Sequence, residues 1–240
     1  MNESISIRQI CKRFGDKTVL HNIDLSMKEG RIYGFIGPSG AGKTTLVKMM
    51  VGMDKPDRGS IHVLNKTVPN LHLLQEIGYM AQSDALYTEL TGKENLTFFA
   101  SLYKLKKAEM KERITYAANL VNLTEQLSKK VSAYSGGMKR RLSLAIALIQ
   151  DPKVLILDEP TVGIDPELRF SIWQELIRLK AEGKTIIVTT HVMDEAERCD
   201  YIAMIRNGSI ITRGTPDELK EQYNATSFDE VFLNAGREKQ

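Results

Sequence analysis

The sequence predicts an α/β fold in which buried strands form a core that is interrupted by an inserted α-helical lobe. Three observations predict it. Residues 32–36 form an apolar run that leads into Gly37-Pro38-Ser39-Gly40-Ala41-Gly42-Lys43-Thr44-Thr45 and then a helical pattern, so strand, loop and helix follow one another. From about residue 91 to 150 the periodicity is helical. Two short stretches, the apolar run 154–157 and the β-branched run 185–190, then resume the pattern of strands covered on both faces.

With 240 residues and 42% hydrophobic content, the chain can bury one large core, or one core with a small lobe attached. No window approaches the roughly 18 apolar residues of a membrane helix. The first 25 residues lack the basic, apolar and small-residue regions of a signal peptide, so a soluble cytoplasmic chain is expected. Cys11 and Cys199 lie far apart without CxxC spacing, which gives neither a disulfide framework nor a zinc site. Both are expected to be small core residues. The net charge of +3 is spread along the chain without a basic block, and neither requires nor excludes a nucleic-acid or membrane-surface partner.

Taken in order, residues 4–27 alternate apolar and polar positions on both sides of Gly15-Asp16-Lys17, as a β-hairpin does. Phe14 stands just before the turn and suits either a platform for an adenine ring or packing of the turn itself.

In the glycine-rich loop, Gly37 and Gly42 let the backbone curl without Cβ clashes, so that successive N–H groups face one concavity sized for phosphate oxygens. Lys43 adds a point charge for the β and γ phosphates, Thr44 a hydroxyl suited to Mg²⁺, and the helix that begins there points its positive end at the same anion. The loop is built to cradle a nucleoside triphosphate.

After the first helix, Pro56-Asp57-Arg58-Gly59-Ser60 is a turn into a strand at 61–64, and residues 77–80 read as another strand. Gln82 follows it, as an ordinary loop residue or a functional one. Thr91 and Glu94 have capping-box spacing ahead of an apolar face at Leu96, Phe99, Ala100 and Tyr103. A second helix is expected over about 108–121 and a third from Gly136. The third opens with Tyr134-Ser135-Gly136-Gly137-Met138-Lys139-Arg140-Arg141. Ser135 can cap, the glycines leave amides open to approach, and three bases follow. This is either a second anion site or a flexible helix entry with a solvated basic face.

The strand at 154–157 ends in Asp158-Glu159, two acids that are expensive to place at a core edge without a use. In a phosphate-loop protein the first suits Mg²⁺ and the second can orient or deprotonate an attacking water. Asp165 and Pro166 cap the next helix, whose apolar face is expected to hold Phe170, Trp173 and Leu176 before Gly183 ends it. His191 leaves the 185–190 strand as the loop and the acids leave theirs, which favours a γ-phosphate contact over a structural role. Strands at 201–205 and 209–213 flank the hairpin signal Asn207-Gly208. Thr215-Pro216 starts a short helix, and a small appendage with a frayed end is expected after about Asn224.

The loop at 37–44, Gln82, Ser135-Gly136-Gly137, Asp158-Glu159, Asp165 and His191 stand in the order found in ATP-binding-cassette ATPases. The chain resembles that family over about residues 4–222, and the Ser-Gly-Gly signature upstream of Asp158-Glu159 is the specific part, since other phosphate-loop proteins lack it. The resemblance implies a RecA-like phosphate-loop core with an antiparallel β subdomain over 1–90 and 151–222, an inserted α-helical subdomain over about 91–150, and a short tail at 223–240. It implies that Lys43 and the loop from Gly37 to Thr45 hold the phosphates of ATP, that Thr44, Gln82 and Asp158 serve Mg²⁺, and that Glu159 is the general base or the residue that polarises the attacking water. His191 would contact the γ-phosphate, Phe14 would stack on adenine, and Asp165 would belong to the loop that signals across a dimer. Ser135, Gly136 and Gly137 would bind ATP held by a second cassette, in a homodimer.

Three positions depart from the commoner family residues: Tyr134 for Leu, Met138 for Gln and Phe14 for Tyr. None is a phosphate ligand or the base. The form of residues 134–141, with Thr190-His191-Val192-Met193-Asp194-Glu195-Ala196-Glu197, looks most like ABC-2-type cassettes of bacterial exporters for drugs, antibiotics or lipids. That implies separate transmembrane permease subunits, a position on the inner face of the membrane, and no nucleic-acid partner. Leu86, Tyr87, Phe98, Phe99 and Tyr103 would either meet a coupling helix or fill the lobe, and most are expected in the core. A soluble cassette ATPase that remodels a ribosome, DNA or a cofactor-assembly scaffold is the alternative. Such proteins usually carry two cassettes, a long coiled coil or cysteine ligands, which this sequence lacks.

Overall fold

A computed structural model describes residues 2–83 and 85–237. The N-terminal alternation becomes β1 (Glu3–Phe14) and β2 (Lys17–Lys28), an antiparallel hairpin with Phe14 opposite Lys17. β3 (Ile32–Ile36) is buried at every residue and delivers the chain into the glycine-rich loop and α1 (Lys43–Met50). β4 (Arg58–Val63), the two-residue β5 (Lys66–Thr67) and β6 (Ile77–Met80) follow. The helical stretch holds α2 (Gly92–Leu102), α3 (Lys107–Leu120) and α4 (Gly136–Leu148). β7 (Val154–Asp158), α5 (Pro166–Ala181), β8 (Thr185–Thr190) and the one-turn α6 (Met193–Ala196) come next. β9 (Tyr201–Arg206), β10 (Ser209–Gly214), α7 (Pro216–Gln222) and α8 (Phe228–Arg237) complete the described chain.

These elements fall into two compact units, residues 1–73 with 185–240, and residues 74–184. The first unit contains a four-stranded antiparallel sheet in the order β2-β1-β4-β5. It also contains β3 between β8 and β9, parallel to both, with β10 returning antiparallel beside β9. Because β3 has neighbours on both edges and is covered on both faces, its residues are apolar without alternation. Asn207 and Gly208 take positive φ values of 49° and 73° in the β9–β10 turn, as a type I′ hairpin requires.

The second unit pairs β6 with β7 in parallel, Ile77 opposite Val154 and Met80 opposite Leu157. α2, α3 and α4 pack on one another, and Leu96, Ala100, Ile114, Ala117 and Leu144 on these helices are buried. The predicted capping box is present: Thr91 accepts from the Glu94 amide while Glu94 accepts from the Thr91 amide.

Four expectations need correction. The stretch after Asn224 is a docked helix, with Phe228, Val231 and Ala235 of α8 at 2% exposure or less; residues 238–240 of the tail lie outside the described residues. Phe170 is 55% exposed, because in α5 it falls off the stripe that buries Ile172, Trp173 and Leu176. Leu86, Tyr87, Phe98, Phe99 and Tyr103 are half-buried or exposed. Three of these rings satisfy one another at the surface, with Tyr87 and Phe98 edge to face at 4.8 Å and Phe98 and Phe99 at 5.4 Å. Of the two cysteines only Cys199 is buried; Cys11 is half-buried in β1 and its Sγ accepts from the Asn22 amide. Among the described residues, no helix is long and apolar enough to cross a membrane.

Candidate functional site

In the first unit, the glycine-rich loop is held from below by its neighbours. The Gly208 amide donates to the Ala41 carbonyl at 3.1 Å, and the Ala41 amide to the Pro38 carbonyl at 3.2 Å. A Cβ on Gly37 would lie 2.0 Å from the Ile205 carbonyl oxygen. One on Gly42, at φ +106°, would strike Leu20 at 2.6 Å. Glycine is therefore required at Gly37 by space, and at Gly42 by space and backbone angle together. Pro38, Ser39 and Gly40 stay exposed above that floor, and Thr44 and Thr45 are half-buried at the helix start.

Lys43 is 5% exposed, and a buried ammonium needs partners. Its Nζ donates to the Gly37 carbonyl at 2.6 Å and to Pro38 at 3.1 Å, so the cation is drawn into the curl of the loop. The loop is a polar concavity with a cation in it at the N-terminus of α1, which fits a phosphate chain.

Phe14 ends β1 half-exposed, at 50%. The Lys12 ammonium lies 5.0 Å from its ring centre and is anchored by Asp54 Oδ1 and the Lys55 carbonyl, both at 2.7 Å. The Lys12 bond also holds the Asp54 carboxyl below its ordinary pKa. His191 is exposed directly after β8, where the Thr190 hydroxyl accepts from the Val192 amide at 3.0 Å.

In the second unit, Asp158 is fully buried at the end of β7, and Glu159 is half-buried with its backbone at φ +53°. That left-handed turn swings the Glu159 side chain out of the strand direction, towards exposed Gln82 after β6. Gln82 Nε2 lies 3.5 Å from Glu159 Oε2, at the outer limit of a hydrogen bond. Burial first, and the Asp158 charge second, push the neighbouring Tyr79 phenol up to about 12, so it remains a neutral hydroxyl.

Ser135 caps α4, accepting from the Met138 amide at 3.2 Å. Gly136 is exposed, and no atom lies within 4 Å of where its Cβ would stand. Gly137 is approached by the Gly163 carbonyl, 3.2 Å from the place a Cβ would take. Asp165 caps α5 as expected, accepting from the Leu168 amide at 2.9 Å.

The basic run after the glycines does not form a solvated face. Arg140 is 7% exposed, and its guanidinium donates to the carbonyls of Ala81, Gln82, Asp158 and Glu159. Arg141 turns to the carbonyls of Val121 and Asn122. Sequence reasoning missed the inward Arg140, and the helical period gives no signal for it, because every residue from Leu142 to Leu148 is buried.

The hydroxyl of Thr44, the side-chain amide oxygen of Gln82 and the carboxylate of Asp158 are hard oxygen donors of the kind Mg²⁺ takes, and they fit that ion by chemistry. Among the described residues, no cluster of three or more His, Cys, Asp and Glu side chains suits a softer metal.

The family profile described as "ABC transporter" matches residues 20–162. The Nod factor export ATP-binding protein I of Burkholderia orbicola (strain AU 1054) is 41% identical over 231 residues, covering 95% of this chain and 76% of that protein. A solved structure described as the ATP-binding subunit of an ABC transporter has a TM-score of 0.90 at 28% identity, covering 97% of this chain and 99% of that one. The dimeric post-hydrolysis structure of the ATP-binding cassette MJ0796, bound to ADP and Pi, has a TM-score of 0.82 at 26% identity over 88% of this chain and 98% of that one.

Proposed function

Because the chain belongs to the ABC transporter family, we propose that it is the ATP-hydrolysing subunit of a membrane exporter, working as a dimer of identical cassettes beneath separate permease subunits. The observation that carries this reading is the glycine loop curled around the Lys43 ammonium at the start of α1. The similarity to an export ATP-binding protein supports export, and the dimeric cassette with ADP and Pi supports hydrolysis in a dimer. Association with permeases would hold the chain on the inner face of the membrane.

Lys43 and the loop amides bind the β and γ phosphates of ATP, the ammonium exchanging its two carbonyl partners for phosphate oxygens. Phe14 offers its exposed ring to adenine. Glu159, turned out by its left-handed backbone, takes or orients the proton of the attacking water, and Gln82 steadies that carboxylate. His191 donates to the γ-phosphate. Thr44, Gln82 and Asp158 would hold Mg²⁺, which when bound neutralises phosphate charge and so lowers the barrier to attack. The open amides beside Ser135, Gly136 and Gly137 bind the ATP of the second copy, and Asp165 borders the loop that meets it.

Two variants test the assignment. Glu159→Gln should lower ATP turnover by about 10²- to 10⁴-fold while keeping nucleotide affinity, and should elute as a dimer with ATP in size-exclusion chromatography. Lys43→Ala should lose nucleotide affinity itself. Full turnover in the first variant would remove Glu159 from the chemistry, and unchanged affinity in the second would move the phosphate site elsewhere. Affinity purification from gently solubilised membranes should bring down a polytopic partner; ribosomal or DNA-bound partners instead would sink the exporter reading.

A further inference from the structure

We propose that Arg140 is a positioning residue for hydrolysis: its guanidinium ties the backbones that carry Gln82 and Glu159 to the signature helix α4, so that the carboxylate is aimed only when that helix is in place. The inference rests on Glu159 acting on the attacking water, as proposed above.

The geometry is a two-armed clamp. Nη1 donates to the carbonyls of Ala81 and Gln82, both at 2.8 Å. Nη2 donates to the carbonyls of Asp158 and Glu159, the latter at 2.6 Å. Each arm thus holds two consecutive carbonyls of one segment, and the rigid planar fork fixes the distance between the segments. A lysine ammonium presents its donors from a single point and cannot span both.

The clamp also acts where the backbone is least willing. Glu159 sits at φ +53°, in the left-handed region that non-glycine residues rarely take. Its carbonyl is held by a charged donor in a site where Arg140 is 7% exposed, and charge-assisted bonds of this kind are strong. The Gln82 to Glu159 side-chain contact, at 3.5 Å, is too long to set the carboxylate's position unaided. Both side chains are carried by backbones that Arg140 joins.

Arg140 lies little more than one turn after Ser135, Gly136 and Gly137 on the same helix. A shift of the signature residues therefore moves the carbonyl clamp, and with it the carboxylate. No substrate contact by Arg140 is involved.

The test uses the purified full chain as wild type, Arg140→Lys, Arg140→Gln and Lys43→Ala. Three readouts are needed: ATP turnover against ATP concentration, affinity for a non-hydrolysable ATP analogue, and thermal unfolding without nucleotide. The proposal expects at least one Arg140 variant to fold and to bind the analogue within about threefold of wild type, with KM similarly little changed. Its kcat should fall by about 10- to 100-fold, the scale of a misplaced catalytic group. Wild-type kcat in a folded Arg140 variant would overturn the proposal, as would a rise in KM with kcat kept. Loss of the fold in both variants would make Arg140 a structural residue and also overturn it. A wild type without turnover, with Lys43→Ala binding the analogue equally well, would instead mark failure of the underlying ATPase reading.

Discussion

Phe14 illustrates how much one residue can be asked to do at a strand end. Its ring is 50% exposed, and its neighbour Lys12 is held almost out of solvent by Asp54 and the Lys55 carbonyl, so the ring keeps an anchored cation at 5.0 Å and open surface besides. An apolar ring placed so is suited to stacking on a flat ligand. Phe14→Ala should weaken ATP binding by about 5- to 150-fold, from the roughly 1–3 kcal/mol of an aromatic stacked on a base. Phe14→Tyr should restore it, and equilibrium titration of both variants decides the matter. An unchanged affinity would leave Phe14 as packing for the Gly15-Asp16 turn.

At the scale of elements, the entry to α2 explains a departure in the signature. Tyr134 stands where the family more commonly has Leu, and its hydroxyl donates to the Gln126 carbonyl at 2.8 Å. Gly92 opens α2 beneath it, and a Cβ there would lie 2.3 Å from that hydroxyl oxygen. The two residues fit as a pair: the larger ring is accommodated because the helix begins with glycine. Gly92→Ala should destabilise by about 1–3 kcal/mol, the usual cost of overpacking. The same change in a Tyr134→Leu background should cost less than half as much, since the clashing atom is gone. Thermal unfolding of the four-member cycle measures the coupling, and additive effects would mean that the ring moves aside freely.

For the molecule as a whole, α8 is the part whose weight the sequence understates. Phe228, Val231 and Ala235 are buried against α6, α7 and β10, and Lys220 lies 5.6 Å from the Phe228 ring centre. Gly236 lets Arg206 approach, since a Cβ there would meet Nη1 at 1.9 Å. Phe228→Ala should lower unfolding free energy by about 3–5 kcal/mol, read as a fall in the denaturant midpoint. A midpoint equal to that of the wild type would show that α8 docks without joining the cooperative unit.

The elements were legible in the sequence because each is governed by local chemistry. Alternation marked β1 and β2, apolar runs marked β3 and β7, a β-branched run marked β8, and Thr91, Ser135, Asp165 and Thr215 marked helix starts through bonds made within one turn. The glycine loop, Asp158-Glu159 and Ser135-Gly136-Gly137 were legible too, since phosphate and water chemistry restrict residue type and spacing along a short stretch of chain. What escaped were contacts between residues distant in sequence. The partners of Arg140 lie 18 to 59 residues away, and no helical period reveals them. Phe170 reads as apolar face and stands in solvent, while α8 reads as a tail and is anchored by three buried side chains. By itself the sequence determined the family chemistry and the order of strands and helices. Only the tertiary structure decided which charges turn inwards and which rings stay out, because burial depends on what the rest of the chain places opposite each side chain.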